Sequence, residues 1–315
     1  MHPALSIVFF TTASGAGFAL LAVLGLCAPL GLLPSSPAFG FAALAVAAAL
    51  AAGGLSSSVL HLGRPERGWR AFSQWRSSWL SREGVFSLLT FLPAVVFGIG
   101  WVFFGATGGL VGLCGFLAAI LAAATVYCTG MIYRSLKPIH QWHNAWVVPN
   151  YLVLGLMAAL LILDFIVRLW QLRAPGVAVS ALAMVVLGWW LKERYWGFID
   201  TTCAPSTAAS ATLIGGRGKV RMLEAPHTEE NYLLKEMGFR IARAHRTRLR
   251  TIARTTAFVV PAMLTVFALL AGGVIGVIAA GLAVLSAGLG LVVERWLFFA
   301  EAKHTVMLYY GAEAV

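Results

Sequence analysis

Apolar residues in this chain do not alternate with polar ones; they come in continuous runs broken by short charged or Gly/Pro-rich segments. A hydrocarbon layer about 30 Å thick is crossed by roughly 20 residues of helix. On that length the runs predict spans at about 5–32, 38–63, 84–105, 109–134, 146–170, 176–196, 256–273 and 275–299. Helices are favoured over barrel strands, which alternate lipid-facing and lumen-facing residues. The fold class is therefore all-α: a polytopic membrane protein, a bundle of about eight transmembrane helices. It reads as one transmembrane domain over 1–315 with a loop insertion at about 192–254. Closely spaced small residues, Gly15, Gly17 and Ala19 or Gly281, Gly288 and Gly290, suit close helix packing better than ligand binding. The first span lacks a basic leading region and an obvious small-residue cleavage site, so it is expected to stay as a helix.

Composition agrees with lipid as the solvent: 60% hydrophobic and 11% charged residues, with a mean hydropathy of +0.84. Cys27, Cys114, Cys128 and Cys203 lie far apart and form no CxxC or ferredoxin spacing. No metal site is expected in this chain, and an iron–sulfur cluster would have to come from a partner.

With eight spans, both termini and the loops after spans two, four and six share one face, here called side A. Of the 23 Lys and Arg, only Arg168 and Arg173 fall on the opposite face, side B. The positive-inside rule makes side A cytoplasmic, with both termini in the cytoplasm and the chain in a bacterial inner membrane. The long side-A segment ends in a helix-like stretch from about Glu229 through Arg250, in which Arg240, Arg243, Arg246, Arg248 and Arg250 accumulate. Anionic lipid headgroups would attract such a cluster. Docking to a soluble partner is the preferred reading, because apolar and acidic residues suited to an interface accompany the arginines. The GGRGK run at 215–219 lacks the G-x-x-x-x-G-K-[ST] spacing of a phosphate-binding loop. Nucleic acid is not expected either, since positive-inside bias explains the same basic charge.

Ionisable residues at membrane depth are costly and mark candidate function. The densest group is His61-Leu-Gly-Arg64-Pro65-Glu66-Arg67 at the end of span two, then Trp69, Trp75, Trp79 and Ser81-Arg82-Glu83-Gly84 opening span three. A quinone site needs a proton-exchanging group, donors for two carbonyl oxygens and an apolar or aromatic slot. His61 supplies an imidazole with a pKa near 6.5, and Glu83 a carboxylate partner. The competing reading makes the arginines and tryptophans interfacial anchors and Glu83 part of a helix N-terminus. A second group on the same face, Tyr133, Arg134, Lys137, His140, His143 and Asn144, would complete the pocket. His140 and His143 would share a face if the segment is helical, which permits metal ligation in principle, though contacts to a partner are favoured. Asp164 and Arg168 read as an ordinary i,i+4 ion pair near side B, and Glu294, Arg295, Glu301, Lys303 and His304 as the interfacial exit of the last span.

The eight-span layout, the His61-Leu-Gly-Arg-Pro stretch, the Ser78-Trp-Leu-Ser-Arg-Glu83 stretch and the Trp146–Asn150 stretch resemble the membrane-anchor subunits of the dimethyl sulfoxide reductase family. The resemblance implies a quinone (ubiquinone or menaquinone) bound by the anchor, with roles for His61 and Glu83. It also implies an iron–sulfur subunit and a molybdopterin catalytic subunit as partners. The best-known anchors of that family hold their partners outside the cytoplasm, whereas the charge count here places the motif-bearing face inside. That orientation looks more like the anchor of a cytoplasmic sulfite-oxidising molybdoenzyme. Two other classes remain as alternatives. A b-type cytochrome would use His61, His140, His143 or His304 as haem b ligands, but no histidine pair falls clearly inside two spans at matching depth. A secondary transporter would gather polar groups at mid-span, where this chain is nearly all Ala, Leu, Val and Gly.

Overall fold

The computed structural model describes residues 3–59, 64–172, 174–213, 220–224, 226, 229, 231 and 241–313, with backbone alone at 241–244. The main helices are α1 (Leu5–Cys27), α2 (Pro37–Val59), α3 (Trp79–Phe104), α4 (Gly109–Arg134), α5 (Val147–Leu169) and α6 (Pro175–Thr201). After the short α7 (Ala208–Thr212) come α8 (Ile241–Arg254), a π turn at Thr255–Val259, α9 (Val260–Ala271) and α10 (Gly273–Ala300). Among the described residues, eight helices are long and apolar enough to cross a membrane, the seventh being the composite His245–Ala271. The chain is a multi-span membrane protein.

Local chemistry fixes the helix ends. Ser78 caps α3 by accepting from the Ser81 N–H at 3.4 Å, and Gly105 closes it in the left-handed region at φ 62°. The π turn has a cause in Pro261, whose ring has no N–H to donate and would crowd the carbonyl of Ala257 in a regular helix. The Ser286 hydroxyl donates to the Thr256 carbonyl at 2.8 Å, satisfying an acceptor within that turn. Gly272 and Gly273, both at positive φ, make the tight reversal between α9 and α10.

Helix α1 lies at the centre, buried for most of its length and packed on α2, α4, α5 and α10. Small residues let the backbones close up: a Cβ on Gly17 would overlap the Ala51 backbone of α2, and one on Gly290 the Ala257 backbone of the π turn. Gly288, by contrast, faces open space. The outer surface is apolar, with Leu88, Leu92, Leu113, Leu285 and Leu289 exposed, as lipid contact requires.

Hydrogen bonds tie the side-A connections together. The Thr305 N–H donates to Pro138 O at 3.1 Å, Lys303 N–H to Gln141 Oε1 at 3.1 Å and Trp142 Nε1–H to Phe298 O at 2.9 Å. The Ser57 hydroxyl donates to Ser6 O at 3.0 Å, joining the start of α1 to the end of α2. Three boundaries differ from the sequence expectation. Helix α1 ends at Cys27 rather than near 32, where the Leu32 N–H closes a turn onto Cys27 O. Helix α3 begins at Trp79, so Glu83 lies one turn inside it rather than at its cap. Finally, α6 runs on to Thr201 through the start of the segment expected as a loop from about 192 to 254, while the helix-like stretch expected there from about Glu229 through Arg250 is helical in its described part, from Ile241. Its charged residues do not end the helices because several are paired inside the protein, as described next.

Candidate functional site

Glu83 is 4% exposed and accepts a hydrogen bond from the Thr129 hydroxyl of α4. Its neighbours in the chain are held by the Pro65–Gln74 3₁₀ helix, which lies across the end of α3. The Ser81 hydroxyl donates to Ala71 O, and Phe72 covers Gly84 so closely that a Cβ there would come within 2.8 Å of its ring. Arg82 folds outward, donating through Nε to Trp75 O at 3.0 Å and through Nη2 to Arg76 O at 2.6 Å. Its guanidinium sits 4.3 Å from the centre of the Trp79 ring, which in turn meets Tyr127 edge-on. One helix turn thus points a carboxylate inward and a guanidinium outward.

Inside the bundle, Tyr133 joins a continuous aromatic group. It stacks on Tyr151 with centroids 5.6 Å apart and meets Trp142, Phe298 and Phe299 edge-on at 5.2–5.4 Å. Thr129, which bonds Glu83, lies one turn before Tyr133 on α4. The fully buried Tyr151 hydroxyl lies beside that of Tyr133, outside good hydrogen-bond geometry. Arg295 of α10 lies with its guanidinium 3.7 Å from the centre of the Tyr151 ring. Beside it, Glu294 bonds Lys192 of α6, and both side chains are at most 1% exposed.

The expected site residues divide accordingly. Glu83 and Tyr133 come together in the interior, with Trp79 and Arg82 at its edge. Arg64 and Trp75 are exposed on the 3₁₀ segment and do not line that interior. His140 and His143 lie in turns rather than on one helix face. His140 Nε2 meets the Thr202 hydroxyl at 2.8 Å and the ring stacks on Phe198, whereas His143 Nδ1–H donates to Arg134 O at 2.6 Å. Burial, and then the neighbouring His143, hold the His140 pKa below the usual 6.5. His61 lies outside the described residues, two positions past the end of α2, as do Arg240 and the 215–219 glycine run. Arg243 is described only as backbone, while Arg246 and Arg248 are exposed on α8. Among the described residues no group of three His, Cys, Asp or Glu stands ready to hold a metal.

The expectation of an interfacial exit for the last span needs correction. Glu294 and Arg295 are 0% and 4% exposed, and Glu301 is 7% exposed, because each finds a charged partner inside the fold. Arg250, expected on the exposed basic face, is buried as well. It donates to Glu301 at 2.8 and 3.1 Å and to Asp200 at 2.6 and 3.2 Å. At side B, the Asp164–Arg168 pair forms at 2.9 Å as expected, lining a cavity of about 700 Å³ at the far end of the bundle from Glu83.

The profile of the DMSO reductase anchor subunit (DmsC) matches residues 1–310. The chain belongs to that family. It is similar over the full length of both chains to a subunit of the sulfite dehydrogenase of Allochromatium vinosum, at 31% identity. The family and that relative make the chain a membrane-anchor subunit of an oxidoreductase complex. For a DMSO reductase-type anchor, sequence spacing pointed to Glu83 but missed Thr129, Tyr151, Lys192, Glu294 and Arg295. Thr129 was within reach, lying four residues before Tyr133 on the same face of α4. The others come from separate helices, and only the rarity of charge within apolar runs marks Lys192 and Glu294.

Proposed function

We propose that this chain is the quinone-reactive anchor of a molybdopterin/iron–sulfur oxidoreductase, exchanging electrons between its partner's iron–sulfur clusters and the quinone pool in the oxidation of sulfite. The observation that carries this reading is the buried Glu83 carboxylate. It sits on the Ser78–Glu83 motif, bonded by Thr129 and bordered by the aromatic group around Tyr133 and Tyr151. These residues suit a quinone: Glu83 can exchange a proton at a carboxylate oxygen, the Tyr151 hydroxyl beside Tyr133 can donate, and the stacked Tyr133 and Tyr151 rings supply apolar surface. A quinone, when bound, supplies the two-electron, two-proton couple. His61, by its place in the neighbouring motif, is the second proton-exchanging group and the expected donor to the other carbonyl.

The sulfite reading is supported by the Allochromatium vinosum relative and by the basic bias of side A, which favours a cytoplasmic docking face. An iron–sulfur subunit and a molybdopterin catalytic subunit dock there, with Arg246 and Arg248 on the exposed face of α8 as contact residues. The test is purification of the native complex in mild detergent, with analysis of its subunits and cofactors and of quinone-linked turnover. Copurifying partners with sulfite-dependent quinone reduction are expected; turnover with dimethyl sulfoxide alone would reverse the direction of electron flow, and an isolated redox-silent chain would overturn the anchor reading.

A further inference from the structure

The cavity of about 700 Å³ at side B combines apolar walls with an ion pair whose bonding is incomplete. It lies between the Leu169 end of α5, the Pro175 start of α6 and the Gly272–Gly273 reversal from α9 into α10. Asp164 stands about 8 Å before the end of α5 at 1.5 Å per residue and is 2% exposed. Of the 12 Asp and Glu in the chain, Asp164 is the one that the eight-span layout assigns to side B.

Helix packing accounts for half of this pair. Arg168 Nε donates to Asp164 Oδ2 at 2.9 Å, and Nη1 donates to Ala268 O at 2.7 Å, where the C-terminus of α9 favours a cation. Among the described residues, Arg168 Nη2 and Asp164 Oδ1 have no hydrogen-bond partner. Both residues line the cavity, and a buried carboxylate oxygen left unbonded is costly. Gln171, held in the left-handed region at φ 53°, brings a third polar side chain to the lining. The remaining wall includes Leu270 and Val274, which are 82% and 76% exposed, so the cavity is continuous with the lipid-facing surface.

We propose that this cavity is the headgroup site of an ethanolamine phospholipid from the side-B leaflet. Arg168 Nη2 donates to the phosphate, Asp164 Oδ1 accepts from the primary ammonium, and the acyl chains run out along Leu270 and Val274. One carboxylate and one guanidinium sum to zero charge, which matches a zwitterion. A glycerol headgroup or inorganic phosphate would set a negative charge against Asp164 with no ammonium to offset it. A choline headgroup carries both charges, but its quaternary nitrogen has no N–H to donate. Arg168 can serve the phosphate of all these ligands, so discrimination rests on Asp164. A lipid seated there bridges the α5–α6 turn and the α9–α10 turn, independently of the quinone site at the other end of the bundle.

The test uses the complete complex, delipidated in detergent and titrated separately with phosphatidylethanolamine, phosphatidylcholine and phosphatidylglycerol of identical chains, with bound lipid counted by native mass spectrometry. One ethanolamine lipid per anchor is expected to bind about tenfold or more tighter than either of the others, the worth of one hydrogen bond to a charged group. Asp164→Asn should reverse that order, because Arg168 is then unopposed and favours phosphatidylglycerol; a general loosening of the fold would weaken all three lipids alike. The site is located in the unsubstituted complex with an ethanolamine lipid carrying a diazirine near the start of one acyl chain, which should crosslink to the 269–277 segment and be displaced by phosphatidylethanolamine but not by phosphatidylcholine. Equal affinity for the three lipids, an unchanged order in Asp164→Asn, or crosslinks confined to other segments would overturn the proposal. Displacement of the lipid by inorganic phosphate would overturn it too, in favour of a soluble anion.

Discussion

Replacing Arg250 with Ala tests how the side-A end of the bundle is held. The guanidinium makes four bonds, two to Glu301 and two to Asp200, but the two arms differ in worth. Glu301 is 7% exposed, so removing its cation leaves a buried carboxylate unpaired, a loss of about 3–5 kcal/mol. The Asp200 side chain is 37% exposed and can be rehydrated, so its arm contributes roughly 1 kcal/mol or less. At about 2 °C per kcal/mol, Arg250→Ala should lower the melting midpoint by roughly 6–10 °C and Asp200→Asn by no more than about 2 °C. Thermal unfolding in detergent can be followed by reaction of the buried Cys128 thiol with a dye, in a background where the partly exposed Cys27 and Cys114 are replaced by Ala and the exposed Cys203 by Ser. Equal shifts for Arg250→Ala and Asp200→Asn, or a shift under about 2 °C for the former, would refute the assignment of the energy to the Glu301 arm.

Three further outcomes are expected. Gly290→Ala should cost about 1–3 kcal/mol by forcing α10 off the Ala257 backbone, whereas Gly288→Ala, meeting nothing within 4 Å, should gain up to about 1 kcal/mol; paired melts decide. The folded pKa of His140 is lowered, so its neutral form is the one the fold favours. Its contribution is complete above the unfolded value of about 6.5 and is lost as pH falls through the folded value, so wild type should lose more midpoint than His140→Gln between about pH 7.5 and 5.5. Charge reversal at Arg246 and Arg248 should release the soluble partners at lower salt, as read by size-exclusion chromatography across a salt series, while loss of the exposed Arg246–Asp200 pair lowers the anchor's melt by no more than about 2 °C.

Much of the architecture was legible because a bilayer imposes one rule on every span, and that rule writes itself as a run of apolar residues. Span Gly109–Arg134 falls where the pattern placed it. The reading failed where charge is satisfied inside the protein: Lys192 looked like a loop residue and Arg250 like part of an exposed basic helix, because their partners, Glu294 and Glu301, lie about 100 and 50 positions away. A single chain carries no local signal of such a pairing. The site was legible in part for a related reason. Glu83 stands in a dense local motif, whereas the aromatic group around Tyr133 is assembled from α4, α5, α6, α10 and the turn carrying Trp142, so spacing along the chain could not reveal it. For His140 and His143 a shared face depended on their segment being helical, and the turns between α4 and α5 do not provide one.

The most direct test of the central claim is quinone turnover by the purified complex with Glu83→Gln in this chain. General acid–base groups contribute about 100-fold or more, so sulfite-driven quinone reduction should fall by at least that factor. Assembly of the three subunits and sulfite oxidation with a soluble artificial acceptor should be unchanged. Wild-type quinone turnover in the assembled Glu83→Gln complex would contradict the account and move the quinone site away from the α3 end of the bundle.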